Sequence, residues 1–480
     1  MAQPVAQTSA VPICVDLDGT LIRADMAFET LLAVLRRKPW LALAMPFWLL
    51  RGRAAFKDRL AAGADFDPAA LPYNEPLLAW LREQRSQGQH LVLATASNRR
   101  VAERIAEYLG LFDEVLASDA TRNLKGEEKR RRLTERFGSK GFDYVGNSDA
   151  DVAVWSEARS AVLVNVPPQV AKRAEEVTRV VRTFESARPR TLFLETLRVQ
   201  QWAKNLLVFV PLIASHLILE PQVFRAGLLM FAAFCLCASS AYVVNDLVDL
   251  AADRAHPEKR RRPFASGTLP VAYGLLLAPA LAAGGLSIAL FLGRPLAMAV
   301  LVLYFLVTLG YSFFLKRQPL LDVFTLSGLY TLRIIAGHEA TGIVYSPWLL
   351  SFSMFLFLSL ALNKRVSELG GLRLRGATEA AGRGYRAGDR DQLNVFGVVS
   401  GFLACLVLAL YINSAAVVPL YNRPLLLWLL CPLMLYWICR IWILAHRGLM
   451  GEDPIAFAVR DPVTYLIGAA GGAILIFAAK

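Results

Sequence analysis

Three carboxylates, Asp246, Asp249 and Asp253, follow Asn245 at spacings of three and four residues, at the end of a long apolar run. On a helix, residues so spaced share a face. Carboxylates that close in a low-dielectric setting repel one another unless a cation compensates, and oxygen ligands suit Mg²⁺ bridging to a substrate's phosphates. A basic run comes next, Lys259, Arg260, Arg261 and Arg262. An acidic metal face beside cations fits transfer from a diphosphate, with the leaving group neutralised and the anionic substrate clamped. The same residue types also make a structural polar cluster at a membrane interface, and Lys259 and Arg261 also suit an ordinary cytoplasmic loop. A second pair, Asp16 and Asp18, stands two residues apart with Gly19 and Thr20 directly after them. One carboxylate there can attack a phosphoryl group while the other handles the leaving group's proton, with Mg²⁺ offsetting the charge.

These groups need two kinds of scaffold. Up to about residue 175, short β-rich runs (13–15, 91–94, 144–145, 161–166) alternate with charged helical stretches, the pattern of an α/β domain. Residues 176–198, interrupted by Pro189, read as a linker and a surface helix. From 199 to 480 the pattern is that of an all-α polytopic membrane domain. Nine apolar segments are expected to span: 205–219, 223–246, 271–292, 295–315, 320–337, 345–363, 394–415, 424–444 and 463–479. The 480-residue chain is 55% hydrophobic and only 19% charged, which also points to a membrane. Its net charge of +13 comes largely from basic clusters between apolar runs, so the bilayer is the expected partner and nucleic acid is not. The crowding of Lys and Arg in loops 249–270 and 364–393 predicts that these face the cytoplasm. Met1 to Ala10 lacks the pattern of a cleaved signal peptide, so the first domain is expected to be cytoplasmic and the protein to sit in the inner membrane. The six cysteines form no CxxC pair, and packing is their expected role. The run Pro39 to Leu50, apolar and aromatic between basic flanks, is too short to span. It reads as a buried cap helix or as a segment lying on the membrane surface.

The Val15-Asp16-Leu17-Asp18-Gly19-Thr20 run resembles the first motif of the haloacid dehalogenase (HAD) superfamily, over about residues 11–175. Thr95, in Leu-Ala-Thr95-Ala-Ser97-Asn98, matches the second motif, and Lys129, in Gly126-Glu-Glu-Lys129, the third. The fourth departs from the family's GDxxxD, since the chain has Gly146-Asn147-Ser-Asp149-Ala-Asp151. An amide oxygen still coordinates Mg²⁺, but one negative charge is lost. The resemblance implies a Mg²⁺-dependent phosphatase, with Thr95 and Lys129 on the substrate and Asp16, Asp18, Asn147 and Asp151 at the metal. A degenerate scaffold is the other reading.

Asn245 to Asp253 matches the NDxxDxxxD motif of the UbiA superfamily of intramembrane prenyltransferases, and the likeness covers about residues 195–480. It implies about nine membrane helices around a cavity, with Asp246, Asp249 and Asp253 holding Mg²⁺ on a diphosphate next to Asn245. The family's second acidic motif is replaced by Asn363-Lys364-Arg365-Val-Ser-Glu368. Loss of those acids and gain of two cations argue against two metal clusters gripping a prenyl diphosphate. Several blocks instead resemble the decaprenyl-phosphate phosphoribosyltransferase branch: Arg198-Val-Gln-Gln-Trp202-Ala-Lys204-Asn205, Leu320-Leu-Asp322-Val, Leu332-Arg333-Ile-Ile-Ala336-Gly337, Gly451-Glu452-Asp453-Pro454 and Arg460-Asp461-Pro462. This implies phosphoribosyl diphosphate as donor and a polyprenyl phosphate as acceptor, with the product's 5-phosphate as a target for the first domain. Arg198, Lys204, Lys259, Arg262, Lys316, Arg333, Lys364 and Arg365 are the candidates to clamp the phosphates. Asp322 and Glu368 either orient ribose hydroxyls, support the metal, or pair with a nearby Arg. The competing readings are a prenyltransferase acting on an aromatic or other acceptor, with an inactive first domain, and a transporter with a regulatory domain.

Overall fold

β1 (Ile13–Val15) is short, apolar and wholly buried, as a central parallel strand covered on both faces must be. The structure, a computed structural model, describes residues 11–479 apart from 39, 42–43, 51, 120–121, 186–190, 375–383, 415–420, 451–456 and 459. Pro39, Pro189 and the block Gly451 to Pro454 therefore lie outside the described residues. Chain contacts define two units: Met1–Leu197 with Val243–Leu277, and Arg198–Tyr242 with Ala278–Lys480.

In the first unit a six-stranded, all-parallel sheet has the order β3-β2-β1-β4-β5-β6. After β1 come α1 (Met26–Arg37), α2 (Met45–Leu49), α3 (Arg53–Gly63) and α4 (Glu75–Ser86). Then follow β2 (Leu91–Asn98), α5 (Arg99–Leu109), β3 (Glu114–Ser118), α6 (Glu127–Phe137), β4 (Asp143–Gly146), α7 (Val152–Trp155), β5 (Ser160–Val164), α8 (Pro168–Val177) and β6 (Arg179–Phe184). One face of the sheet packs on Leu77, Leu81, Val101 and Ile105, the other on Leu133, Phe142 and Trp155. Because the chain runs β1-β2-β3 outward and then returns to β4 on the other side of β1, the order reverses there, which opens a crevice at the carboxyl ends of these strands.

Two strands escape the sequence reading. β3 begins on a glutamate, and β6 occupies the expected linker, paired with β5 along Ser160–Val164. β6 is an edge strand whose exposed Arg179 and Arg182 disguise it, the charge that keeps such edges from pairing with other chains. In the 39–50 run, Leu41, Met45 and Trp48 pack against Val34 and Leu60 of the helical insertion after β1, while Trp40, Phe47 and Leu50 remain exposed.

Beyond β6, α9 (Leu192–Leu197) leads to a 3₁₀ stretch, Val199–Phe209, and α10 (Val210–Ala214). α11 (Pro221–Val248) and α12 (Leu250–Ala255) carry the acidic motif. They are followed by α13 (Val271–Phe291), α14 (Pro295–Phe313), α15 (Leu321–Thr341), α16 (Pro347–Leu374), α17 (Arg390–Ile412), α18 (Leu430–His446) and α19 (Pro462–Ala479). Among the described residues seven helices are long and apolar enough to cross a membrane, two fewer than the nine expected segments. Residues 205–219 fall on the 3₁₀ stretch and the five-residue α10, with His216 in a left-handed conformation shortly after it. The segment 320–337 is helical as α15, yet Asp322, Arg333 and Glu339 make it too polar to count.

Candidate active sites

In the α/β unit each chemistry-bearing group stands just past the carboxyl end of a strand. Asp16 and Asp18 follow β1, Thr95 to Asn98 end β2, Asn147 follows β4, and Lys129 comes from the first turn of α6. Lys129 Nζ donates to Asp16 Oδ1 at 2.7 Å and to the Tyr144 hydroxyl at 2.8 Å, and all three side chains are buried. Burial pulls the Lys129 ammonium down, but Asp16 and then Asp151 hold it above its ordinary value, so it stays charged. Asp18 Oδ1 accepts the Met26 N–H at 2.7 Å and Oδ2 accepts the Ser97 hydroxyl at 2.6 Å. Burial, helped by the charge of Asp25, pushes the Asp18 carboxyl up to about 6. Thr95 is fully buried, its hydroxyl oxygen accepting the Ser97 N–H at 2.9 Å.

Gly19 has φ +74°, and a Cβ there would lie 2.1 Å from Asn147 Nδ2. Glycine is required twice over, for the left-handed turn and for the close approach of the amide. Of the four residues expected at the metal, Asp18 and Asp151 already accept several hydrogen bonds. Asp151 Oδ1 accepts the Tyr144 hydroxyl at 2.9 Å, and Oδ2 accepts the N–H groups of Asn147 and Ser148 and the Ser148 hydroxyl. It closes the 147–151 turn and stands 3.8 Å from Lys129. The Asp18 carboxylate is likewise occupied by Met26 and Ser97. Asp16 and Asn147 fit a Mg²⁺ site: among the described residues no donor engages Asp16 Oδ2, and the Asn147 side-chain amide packs over Gly19 in the turn after Asp16.

The acidic motif does not ride one unbroken helix. Asp246 ends α11, Asp249 occupies the junction, and Asp253 lies in α12. The backbone bonds from Asp249 N–H to the Asn245 carbonyl (2.9 Å) and from Asp253 N–H to the Asp249 carbonyl (2.8 Å) preserve the helical spacing across the break. Asp246 and Asp253, both buried, converge on Arg262, whose Nη1 is 3.2 Å and 2.7 Å from their carboxylates. Arg262, expected to clamp substrate, is thus found as counter-ion to the acids. Two buried carboxylates aimed at one cation position fit Mg²⁺ chemically. Among the described residues no three His, Cys, Asp or Glu side chains form a metal-holding group, so a metal here would draw its remaining ligands from phosphate and water. Lys259 stays half-buried in the turn Lys259–Arg261. The adjoining Arg254 forms a bidentate pair with Glu29 of α1, at 2.9 and 2.7 Å, both side chains 7% exposed.

In the second unit, two of the expected phosphate clamps are already spent. Arg333 donates to Asn205 Oδ1 (2.8 Å), the Leu329 carbonyl (2.5 Å) and the Tyr304 hydroxyl (3.0 Å). Arg365 donates to Asp322 Oδ2 (2.5 Å), Glu368 and the Tyr311 hydroxyl (2.9 Å). Asp322 also accepts from the Tyr385 hydroxyl at 2.5 Å. Of the roles left open for Asp322 and Glu368, pairing with an arginine is the one observed. A guanidinium buried among membrane helices requires such partners. Arg198 lies over the Tyr242 ring, 5.1 Å from its centroid, and Lys204, Lys316 and Lys364 are half-buried. The sequence reading missed Tyr144, Tyr304, Tyr311 and Tyr385, whose hydroxyls complete these networks. It also missed Asn363, a fully buried amide with no partner among the described residues, whose signal is a lone polar residue before Lys364 in an apolar helix.

Residues 208–458 match the UbiA prenyltransferase family, and residues 13–155 match haloacid dehalogenase-like hydrolases. The chain belongs to the UbiA prenyltransferase family and carries a HAD-like N-terminal domain. It is therefore a multi-pass membrane transferase. An uncharacterised protein of Sinorhizobium fredii, y4nM, is 38% identical over 463 residues, 96% of this chain and 89% of that one. A decaprenyl-phosphate phosphoribosyltransferase of Mycolicibacterium smegmatis is 41% identical over 180 residues, 37% of this chain and 56% of that one. A solved UbiA homologue from Archaeoglobus fulgidus, bound to GPP and Mg²⁺, aligns over 59% of this chain and 99% of its own at 17% identity and a TM-score of 0.45.

Proposed function

We propose that the membrane half moves 5-phosphoribose from phosphoribosyl diphosphate to a polyprenyl phosphate, and that the HAD-like domain then removes the 5-phosphate. The observation that carries the first part is the fate of the acids on α15 and α16. Asp322 and Glu368 are locked to Arg365, whereas Asp246 and Asp253 of the acidic motif converge on one position. One face suffices for one diphosphate. The M. smegmatis relative, named a decaprenyl-phosphate phosphoribosyltransferase, supports the same transferred group and class of acceptor.

Mg²⁺ held by Asp246 and Asp253, its shell completed by phosphate and water, would neutralise the diphosphate as it departs. The acceptor's phosphate oxygen forms the new bond to C1 of the ribose while the C1–O bond to diphosphate breaks and the diphosphate takes the electron pair. A phosphate monoester is already anionic, so no strong base is required, and positioning is the main task. Arg198, Lys204, Lys259, Lys316 and Lys364 are the cations we assign to the sugar and lipid phosphates, with the unpartnered Asn363 amide for a substrate oxygen. In the HAD-like domain Asp16 attacks phosphorus and the ester oxygen leaves with the proton of Asp18. Water then hydrolyses the aspartyl phosphate. Thr95 and Lys129 hold the phosphoryl oxygens and the nucleophile, and Asp16 with Asn147 would hold the metal.

Purified protein given labelled phosphoribosyl diphosphate and a polyprenyl phosphate should place the label in lipid. Label entering an aromatic acceptor from a prenyl diphosphate instead would overturn the assignment. We also place the HAD-like domain and the 249–270 loop on the cytoplasmic face, supported by that loop's arginines. A cysteine at Ala255 should resist an impermeant thiol reagent in intact cells, and ready labelling would reverse the orientation.

A further inference from the structure

A small cavity lies beside Asp18 in the HAD-like domain. Both groups that hold the Asp18 carboxylate, Met26 through its N–H and Ser97 through its hydroxyl, also line the cavity. Since Asp18 is the group that protonates the departing oxygen, this is the side on which the alcohol leaves. Its wall is apolar where Met26, Ala27, Ala61 and Val101 contribute and polar at Thr30, Lys57, Ser97 and Asn98. The Asn98 amide is occupied by Asp58 at 3.0 Å. Lys57, on α3, donates to the Ala96 carbonyl at 3.0 Å, a neutral partner, and among the described residues no carboxylate lies within ion-pair distance of it.

The domain thus presents two ammonium groups to its substrate, from opposite ends. Lys129 is committed to Asp16, Asp151 and Tyr144 on the nucleophile side. Lys57 reaches the leaving-group side from the helical insertion, where the phosphoryl group being cleaved does not require a second cation. The Lys57 charge also acts on Asp18, and a half-buried ammonium hydrogen-bonded only to a carbonyl suits a ligand that brings a further negative charge.

We propose that Lys57 forms an anion subsite for the leaving group, so that this domain acts on phosphomonoesters whose alcohol carries a second anionic group. This rests on the phosphatase reading above and names its substrate class. A ribose esterified as a phosphodiester at C1 and as a monoester at C5 is such a molecule. Lys57 takes the diester, and the cavity, about 10 Å³ here, must widen to admit the sugar.

The test compares two soluble probes on the full-length protein in detergent: methyl ribofuranoside 5-phosphate, neutral at C1, and the analogue with a methyl phosphodiester at C1. Wild type should favour the diester by at least about tenfold in kcat/KM, the range expected of a hydrogen bond to a charged group. Lys57→Gln should collapse that ratio toward one, and Lys57→Arg should keep most of it. An unchanged ratio in Lys57→Gln, or no preference in wild type while the 5-phosphate is still cleaved, overturns the subsite and leaves the phosphatase reading intact. If neither probe is hydrolysed, the phosphatase reading fails. Calorimetry on the Asp16→Asn protein then decides the subsite: tighter binding of the diester that Lys57→Gln abolishes sustains it, and equal binding ends it.

Discussion

Asp246 and Asp322 are both aspartates buried in or beside the membrane helices, and their neighbours give them opposite fates. Asp246 shares Arg262 with Asp253, so two acids converge on one position that suits a cation. Asp322 faces Arg365 and the Tyr385 hydroxyl and has nothing left to offer. Asp246→Ala should therefore abolish lipid labelling and weaken Mg²⁺ binding with little change in melting temperature. Asp322→Asn should lower the melting temperature in detergent, by less than a fully broken buried pair's cost of about 3–5 kcal/mol, since Glu368 still faces Arg365. A variant pair in which both changes only destabilise, with Mg²⁺ binding untouched, would count against the division. The sequence offers Asp16, Asp18 and the aspartates after Asn245 as candidate reactive side chains by type and spacing. It left the arginines ambiguous, since Arg365 meets Asp322 across 43 residues and only packing reveals that its charge is already used.

At the scale of elements, periodicity and apolar runs located most of what positions the sites: four of the six strands and, among the described residues, all seven helices long and apolar enough to span. It failed where an element is short or carries charge for a reason of its own. β6 wears edge arginines, and α15 holds Asp322 and Arg333 for its polar networks. Close helix packing is legible only in part, through small residues. Gly337 of α15 is one such point, because a Cβ there would come within 2.2 Å of the Val208 carbonyl oxygen in the Val199–Phe209 stretch. Helices in membranes associate through backbone approach at small residues rather than through a hydrophobic drive. Gly337→Ala forces those segments apart and should destabilise the protein by roughly 1–3 kcal/mol, seen as a lower melting temperature in detergent. An unaltered melting curve would mean the contact yields freely. The Arg333 bond to Asn205 of that same stretch would then be the link that fixes it to α15.

The whole chain is not two beads in sequence order. The expected boundary near residue 198 marks where the α/β sequence ends, yet Val243–Leu277, which contains the acidic motif, belongs to the same compact unit as Met1–Leu197. Nothing local in the sequence signals this, because the decisive contact joins residues 225 positions apart, Glu29 and Arg254. Arg254 follows Asp253 directly and also donates to the Ala265 carbonyl at 3.1 Å, so the pair anchors the loop that carries Arg262. A Cβ on Gly267 would lie 2.6 Å from Arg23 Cβ, a second tight approach between the same two stretches. Glu29→Ala leaves Arg254 buried without its counter-charge, which should lower stability by about 3–5 kcal/mol and open the 249–270 loop to limited proteolysis. A chain beginning at residue 199 lacks Glu29 and should show the same cleavage. Exchanging the charges, Glu29→Arg with Arg254→Glu, should restore part of the protection that either single change removes. If Glu29→Ala keeps both the melting temperature and the protease resistance of wild type, the pair does not hold the loop. The fusion would then have to be explained by the sharing of a product between the two sites alone.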